Sequence, residues 1–160
     1  MNGFAKLINH HDSRVAAERQ AAVDAAENEK TEAGQRELSF ASSVEHIVSP
    51  LFEDFVAALR GSGRDATFKP LSKDGHGRSN VNLHFNATQG TRLRVNASDD
   101  SAYAVTLLED GDVEFRSYYD QRPGKNGISK RSGDLGSIDA ETIRHDLQVL
   151  LNLALESRAQ

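Results

Sequence analysis

Cationic and aromatic side chains that suit anion binding are concentrated between Arg116 and Arg131. In this stretch, termed the basic segment, five cations stand against one carboxylate, and the side chains concerned are Arg116, Tyr118, Tyr119, Asp120, Arg122, Lys125, Lys130 and Arg131. Guanidinium and ammonium groups bind phosphates, and tyrosine rings stack on the bases of single strands. The basic segment therefore indicates binding of single-stranded nucleic acid or of another anionic ligand. The carboxylates of Asp99 and Asp100 also favour a second interpretation, a solvated rim of neutralised charges.

A second polar set lies on strand-like segments further upstream. Alternation along these segments predicts that His84, Arg92 and Arg94 share the exposed face of a sheet, with His84 beside Arg94. The same face carries three asparagines, a residue type that strands disfavour and that offers amide donors and acceptors: Asn82, Asn86 and Asn96. The pattern indicates either a docking surface or ordinary solvated pairing between strands.

Motifs for catalysis and metal binding are missing or weak. The chain has no cysteine and no Gly-x-Ser-x-Gly motif, so the common nucleophiles have no recognisable setting. His10-His11-Asp12 lacks the spacing of a metal site. Glu109-Asp110-Gly111-Asp112 lacks the later glutamate of a calcium loop, so we interpret it as a hairpin turn. We therefore predict no catalytic residues, no metal and no cofactor, and a protein that is not an enzyme.

Length and composition restrict the class of protein. The 160 residues suit one domain with an appendage, and the lack of cysteine excludes disulfides. A net charge of −5 argues against a general nucleic-acid binder, although it permits a local basic surface. No apolar run approaches the ~20 residues that span a bilayer, and residues 1–10 do not resemble a signal peptide. We expect a soluble, cytoplasmic protein that does not enter membranes.

Four strand-like segments between residues 79 and 119 have to position the polar side chains. Three short loops predict one antiparallel register: Thr88-Gln89-Gly90, Asp99-Asp100-Ser101 and Glu109-Asp110-Gly111. That register pairs Val81 with Ala97, Leu83 with Val95, Phe85 with Leu93, Val95 with Val105, Ala97 with Tyr103, Val105 with Phe115 and Leu107 with Val113. It brings the basic segment and the Lys73–Arg78 loop to one end of the sheet, and Glu109, Asp110 and Asp112 to the other.

Amphipathic helices are predicted before and after these strands. Apolar residues recur three and four apart from Phe40 to Leu59, and Pro50 predicts a kink, or a restart with Ser49 as the N-cap. Asp139 is the predicted N-cap of the closing helix.

The fold class follows from the order of these elements. An edge strand is predicted over residues 66–71, and a short irregular strand near Ile128. We expect an α+β fold in which an antiparallel meander of four to five strands has both amphipathic helices on one face. Residues 1–37 form an N-terminal helical extension, and residues 38–160 form a single α+β domain.

Both ends of the chain carry apolar side chains that indicate a protein partner. In the extension these are Phe4, Leu7, Ile8 and Val15, at helical spacing in an alanine-rich polar segment. Since Ala22, Ala26 and Glu29 give almost no heptad seam, a long coiled coil is disfavoured, and a solvated helix is the alternative. In the closing helix, Val149 and Leu153 widen the apolar stripe, which indicates a second neighbour: another helix or a partner subunit.

Two hypotheses of function follow. The first is a non-enzymatic protein-binding or adaptor module that self-associates as a homodimer, a role of the secretion-chaperone, immunity or inhibitor type. The second is binding of single-stranded nucleic acid or an anionic ligand at the basic end of the sheet. Its residues would be His84, Arg92, Arg94, Arg116, Tyr118, Arg122, Lys125, Lys130 and Arg131.

Overall fold

The structure, a computed structural model, describes residues 3–93, 100–120 and 127–158. Within these ranges the chain forms α1 (Gly3–Ser43), a π-helical turn (Val44–Val48), α2 (Ser49–Gly61), β1 (Ala66–Lys73), β2 (Ser79–Phe85), β3 (Ser101–Leu107), β4 (Val113–Asp120), β5 (Gly127–Gly133), a 3-10 turn (Leu135–Ser137) and α3 (Ala140–Arg158). The chain divides into two units, Met1–Arg36 and Glu37–Gln160, and all five of these strands belong to the second.

The strands form one antiparallel sheet in the order β1-β2-β3-β4-β5. This meander, with helices before and after it, confirms the predicted α+β class. The predicted pairs Val105 with Phe115 and Leu107 with Val113 are also confirmed. Pro70 lies in the edge strand β1, at the register shift between Lys69 and Ser72, which is a position where a sheet tolerates proline.

In the helical segment before the sheet, the π-helical turn Val44–Val48 lies just ahead of Pro50. Because proline has no N–H, an α-helix cannot keep its full set of hydrogen bonds at this position. The N–H of Ser49 reaches back five residues to the carbonyl of Val44, which is the bonding pattern of a π-helix. The predicted N-cap at Ser49 is therefore wrong, since Ser49 is itself the first residue of α2.

The sheet has no strand between β2 and β3, where one was predicted after Thr88-Gln89-Gly90. The structure pairs β2 directly with β3, so that Val81 faces Val105 and Leu83 faces Tyr103. The pairs predicted for Val81 with Ala97, Leu83 with Val95 and Phe85 with Leu93 are therefore wrong. Residues 94–99 lie outside the described ranges.

Asp65 explains why the chain leaves the sheet after Phe85. Its carbonyl accepts the N–H of Asn86 at 3.0 Å, and its carboxylate accepts the N–H of Leu93 at 2.8 Å. Both bonds tie the 86–93 connection to the loop before β1, and a sequence pattern carries no sign of such a non-local contact.

Because no strand lies between β2 and β3, the Lys73–Arg78 loop and the basic segment lie at opposite ends of the sheet, and not at the same end as predicted. Lys73 pairs with Ser79, and Leu107 pairs with Val113, while Asn80 faces Thr106. The Lys73–Arg78 loop therefore lies at the end that carries Glu109, Asp110 and Asp112. The basic segment turns at the opposite end, where Asp120 pairs with Gly127.

One face of the sheet, the helix face, forms the core together with α2, α3 and the last turn of α1. Phe52 of α2 lies at its centre, fully buried, and its ring meets those of Phe68 and Tyr103 edge to face at 6.0 and 5.9 Å. Phe40 and Val48 complete the same helical stripe and are also fully buried.

The closing helix begins as predicted. The carboxylate of Asp139 accepts the N–H of Thr142 at 3.1 Å, which is an N-cap bond. Ile143, Leu147 and Leu150 are buried against the sheet. Residues Leu151 and Leu155 instead line a cavity of about 230 Å³ with Phe55 and Leu59 of α2. The second neighbour of the wide apolar stripe therefore includes α2.

Candidate binding surfaces

The N-terminal unit presents its large apolar side chains to solvent. Phe4, Leu7 and Ile8 are 78%, 67% and 60% exposed, Val15 is half-buried, and none of the described residues 3–36 is buried. Phe4, Ile8 and Val15 recur at helical spacing and therefore lie along one side of α1, the N-terminal stripe. In water such a stripe remains a large uncovered apolar surface.

A smaller apolar patch lies on the outer side of α3. Val149 and Leu153 are 42% and 37% exposed and stand one helical turn apart, so their side chains are neighbours on the helix surface. Both were predicted as protein-binding residues, and the core does not cover either of them.

The second face of the sheet, the polar face, carries a chain of hydrogen-bonded side chains along β2. Asn80 donates to Thr106 at 2.6 Å, Asn82 donates to Asn80 at 2.7 Å, and His84 lies 3.2 Å from the Asn82 side-chain oxygen. Burial lowers the pKa of His84, and the carboxylate of Asp100 offsets part of that shift. The side-chain amides of Asn80 and Asn82 therefore already have hydrogen-bond partners within the sheet.

The predicted set on the polar face is only partly assembled. Asn86 is buried and donates to the carboxylate of Asp100 at 3.0 Å, so it belongs to the connection after β2. Arg92 lies in the same connection, away from His84 of β2. Arg94, Asn96, Arg122 and Lys125 lie outside the described ranges.

Arg116 and Lys130 face each other on the polar face, next to small residues of β3. The register places Arg116 between Ala104 and Lys130, and Tyr118 beside Ala102. Arg116 donates to the Tyr118 hydroxyl and pairs with Glu114, each at 3.0 Å. The bond to Tyr118 raises the pKa of Arg116 further.

The Nε atom of Arg116 is the one buried side-chain nitrogen or oxygen in the described ranges that lacks a hydrogen-bond partner. The guanidinium is thus held by its two terminal nitrogens, and its positive charge is largely compensated by Glu114.

Arg131 lies on the helix face, on the opposite side of the sheet from Arg116 and Lys130. It is paired with Phe115 across the sheet, and its guanidinium carbon lies 3.8 Å from the centre of that ring. Its Nη2 donates to Asp146 of α3 at 2.6 Å, and the Tyr103 hydroxyl donates to the same oxygen at 2.6 Å. Asp146 therefore joins β3, β5 and α3.

We expect the Tyr103 hydroxyl to make the free energy of unfolding fall as the pH becomes alkaline. Burial, followed by the bond to Asp146, raises the pKa of Tyr103 far above its ordinary value. The native state keeps this proton above pH ~10 while the unfolded state loses it, so the free energy of unfolding should fall by about 1.4 kcal/mol per pH unit there. Urea unfolding of the native protein and of Tyr103→Phe across this range checks the slope. Parallel pH curves for the two proteins would contradict the assignment.

Three arginines surround a cavity of about 370 Å³ beside the end of α2, the arginine cavity. Arg60 comes from the last turn of α2, Arg64 from the loop before β1, and Arg92 from the connection after β2. Only Arg92 was predicted as a binding residue. The signal for the other two was the symmetric motif from Arg60 to Arg64, two arginines flanking Gly-Ser-Gly.

Within the described ranges, no group of three His, Asp or Glu side chains could hold a metal ion, and no helix is long and apolar enough to span a bilayer. Comparison of the chain with protein-family models, with curated proteins and with solved structures gave no match.

Proposed function

We propose that this protein is a non-enzymatic binding module that self-associates, and that the N-terminal stripe packs against α1 of a second copy. The observation that supports the proposal is the exposure of Phe4, Leu7 and Ile8, which are 60–78% exposed. None of the described residues 3–36 of α1 is buried. Burying one such side chain stabilises a contact by about 1.5–3 kcal/mol. Three of them from each copy supply a substantial driving force.

The charge pattern of α1 favours an antiparallel pair. Residues 3–19 carry three cations and two carboxylates, a net charge of +1, whereas residues 20–36 carry two cations and four carboxylates, a net charge of −2. An antiparallel arrangement sets the positive half of each helix against the negative half of the other. A parallel arrangement would set like charges together.

Side-chain size favours the same orientation. The large residues lie in the first half of the helix, and small residues occupy the same side of the second half, namely Ala22, Ala26 and Ala33. Small side chains let the two backbones approach, so Phe4 and Ile8 can pack on the alanine-rich half of the partner. This contact needs no continuous heptad seam.

The geometry supports the nucleic-acid hypothesis less. Arg116 is paired with Glu114, and Arg131 is paired with Asp146 on the opposite face of the sheet from Lys130. A single strand would therefore meet few uncompensated cations among the described residues of the basic segment.

Size-exclusion chromatography with light scattering tests self-association. We expect a dimer for the full chain, and a monomer for Ile8→Glu, because the substitution places a charge in the stripe. Ala17→Glu is the matched control, since Ala17 is exposed and lies on the opposite side of α1 from Ile8, and this variant should remain a dimer. A monomeric full chain would overturn the proposal.

Thiol crosslinking tests the orientation without background, because the chain contains no cysteine. His11 and Ala26 lie 15 residues apart on one side of the helix, about 22 Å along its axis. An antiparallel pair should crosslink when His11→Cys and Ala26→Cys proteins are mixed. Crosslinking of each variant with itself would instead show a parallel pair.

A further inference from the structure

The arginine cavity concentrates positive charge in a protein of net charge −5. Arg60, Arg64 and Arg92 line it, together with one carboxylate, Asp65, which leaves a local charge of +2. The overall charge repels anions, so an anion can be held here only by these local groups. From this array we propose that the cavity binds the phosphate of a small phosphomonoester.

Backbone carbonyls of β1 and of the connection after β2 hold two of the guanidinium groups in place through their Nε atoms. Arg60 donates from Nε to the carbonyl of Ala66 at 2.9 Å, and Arg64 donates from Nε to the carbonyl of Ala87 at 2.8 Å. Arg64 also donates from Nη1 to the Ser62 hydroxyl at 3.0 Å, which leaves its Nη2 and both terminal nitrogens of Arg60 for other acceptors. A guanidinium that is positioned in advance loses less conformational entropy when it binds an anion.

The loop before β1 and the connection after β2 are also bonded to each other. The N–H of Gly90 donates to the carbonyl of Gly63 at 3.0 Å, and the Gln89 side chain donates to the carbonyl of Ser62 at 2.7 Å. Gly63 and Gly90 have φ values of 82° and 79°, which other residues rarely adopt. The cavity therefore has a defined wall, built from both loops.

Arg92 is the side chain that remains free to contact a ligand. It is exposed, and it makes no hydrogen bond or ion pair with any residue of the described ranges. The Asp65 carboxylate accepts the N–H of Leu93 at 2.8 Å, so one of its oxygens already has a hydrogen-bond donor.

Charge and volume point to the class of ligand. A phosphomonoester carries a charge of about −1.5 to −2 at neutral pH and three acceptor oxygens, which suit several guanidinium forks. A volume of about 370 Å³ exceeds the space of a bare phosphate and falls within the range of small-molecule sites. The remaining space accommodates a small organic group.

Amide NMR of the full chain, titrated with inorganic phosphate and with glycerol 3-phosphate at constant ionic strength, tests the site. We expect saturable shifts at the amides of Gly63, Gly90 and Thr91, and tighter binding of glycerol 3-phosphate than of phosphate. Shifts that do not saturate, or that saturate elsewhere, overturn the proposal. Equal or weaker binding of glycerol 3-phosphate overturns the phosphomonoester assignment.

Two variants separate a specific contact from a general effect of charge. Arg92→Gln should weaken binding by about tenfold to a hundredfold, since it removes a charge-assisted hydrogen bond. Arg144→Gln removes the same charge from an exposed position on α3 and should leave the affinity within about twofold. Equal weakening by both variants would overturn the site. The result is independent of self-association, because residues 3–36 take no part in the arginine cavity.

Discussion

Phe52→Ala should lower the free energy of unfolding by about 3–5 kcal/mol. The Phe52 ring is fully buried and meets two other rings, Phe68 and Tyr103, edge to face. Truncation leaves a cavity between α2 and the sheet and removes both aromatic contacts. Because a domain of this size is stable by only about 5–15 kcal/mol, the loss is a large part of the total.

Urea unfolding followed by tyrosine fluorescence measures this loss in the second unit alone. The chain has no tryptophan, and its three tyrosines are residues 103, 118 and 119. Leu38→Ala is the control, because truncation of a side chain of the second unit that is 74% exposed and lies outside the N-terminal stripe should change the stability by less than about 0.5 kcal/mol. A loss below about 1 kcal/mol for Phe52→Ala would show that the core is not centred on this ring.

Asp146→Ala should lower the free energy of unfolding by about 2–3 kcal/mol. The substitution leaves the buried Tyr103 hydroxyl without its acceptor and Arg131 without its counter-ion. The Arg131 side chain is 36% exposed, so water screens part of this loss and keeps it below that of a fully buried pair.

A double-mutant cycle with Tyr103→Phe tests whether the two groups act together. In the Asp146→Ala background, removal of the hydroxyl should be close to neutral, because the hydroxyl has already lost its acceptor. Asp54→Ala on α2 is the control, as Asp54 is exposed and should contribute less than about 0.5 kcal/mol. Additive losses in the cycle would contradict the network.

Local patterns were sufficient to predict the faces of the sheet. Val81, Leu83 and Phe85 alternate with polar neighbours, and this alternation assigns them to the core whichever strand they pair with. The same alternation does not show which strands lie next to each other in the sheet. Leu93 and Val95 alternate as well as a true strand does, but bonds to Asp65, Gly63 and Ser62 hold residues 86–93 against the loop before β1.

The candidate sites were predictable only where they lie on one element. The N-terminal stripe of Phe4, Ile8 and Val15 depends on helical spacing alone, and the exposure of Phe4 and Ile8 agrees with that pattern. The arginine cavity combines two segments that are distant in sequence. The face of the sheet on which Arg131 lies depends on the register between β4 and β5. Both follow from tertiary contacts that no local pattern records.

Pro70 on the outer edge of β1 limits how copies of this chain can assemble. Proline offers no N–H to an added strand, and the pairing of β1 shifts register between Lys69 and Ser72, so this edge is a poor template for extending the sheet. The proposed twofold pair of α1 helices would close on itself after two copies. Fibrous growth along this edge is therefore disfavoured, and a finite complex is the expected product.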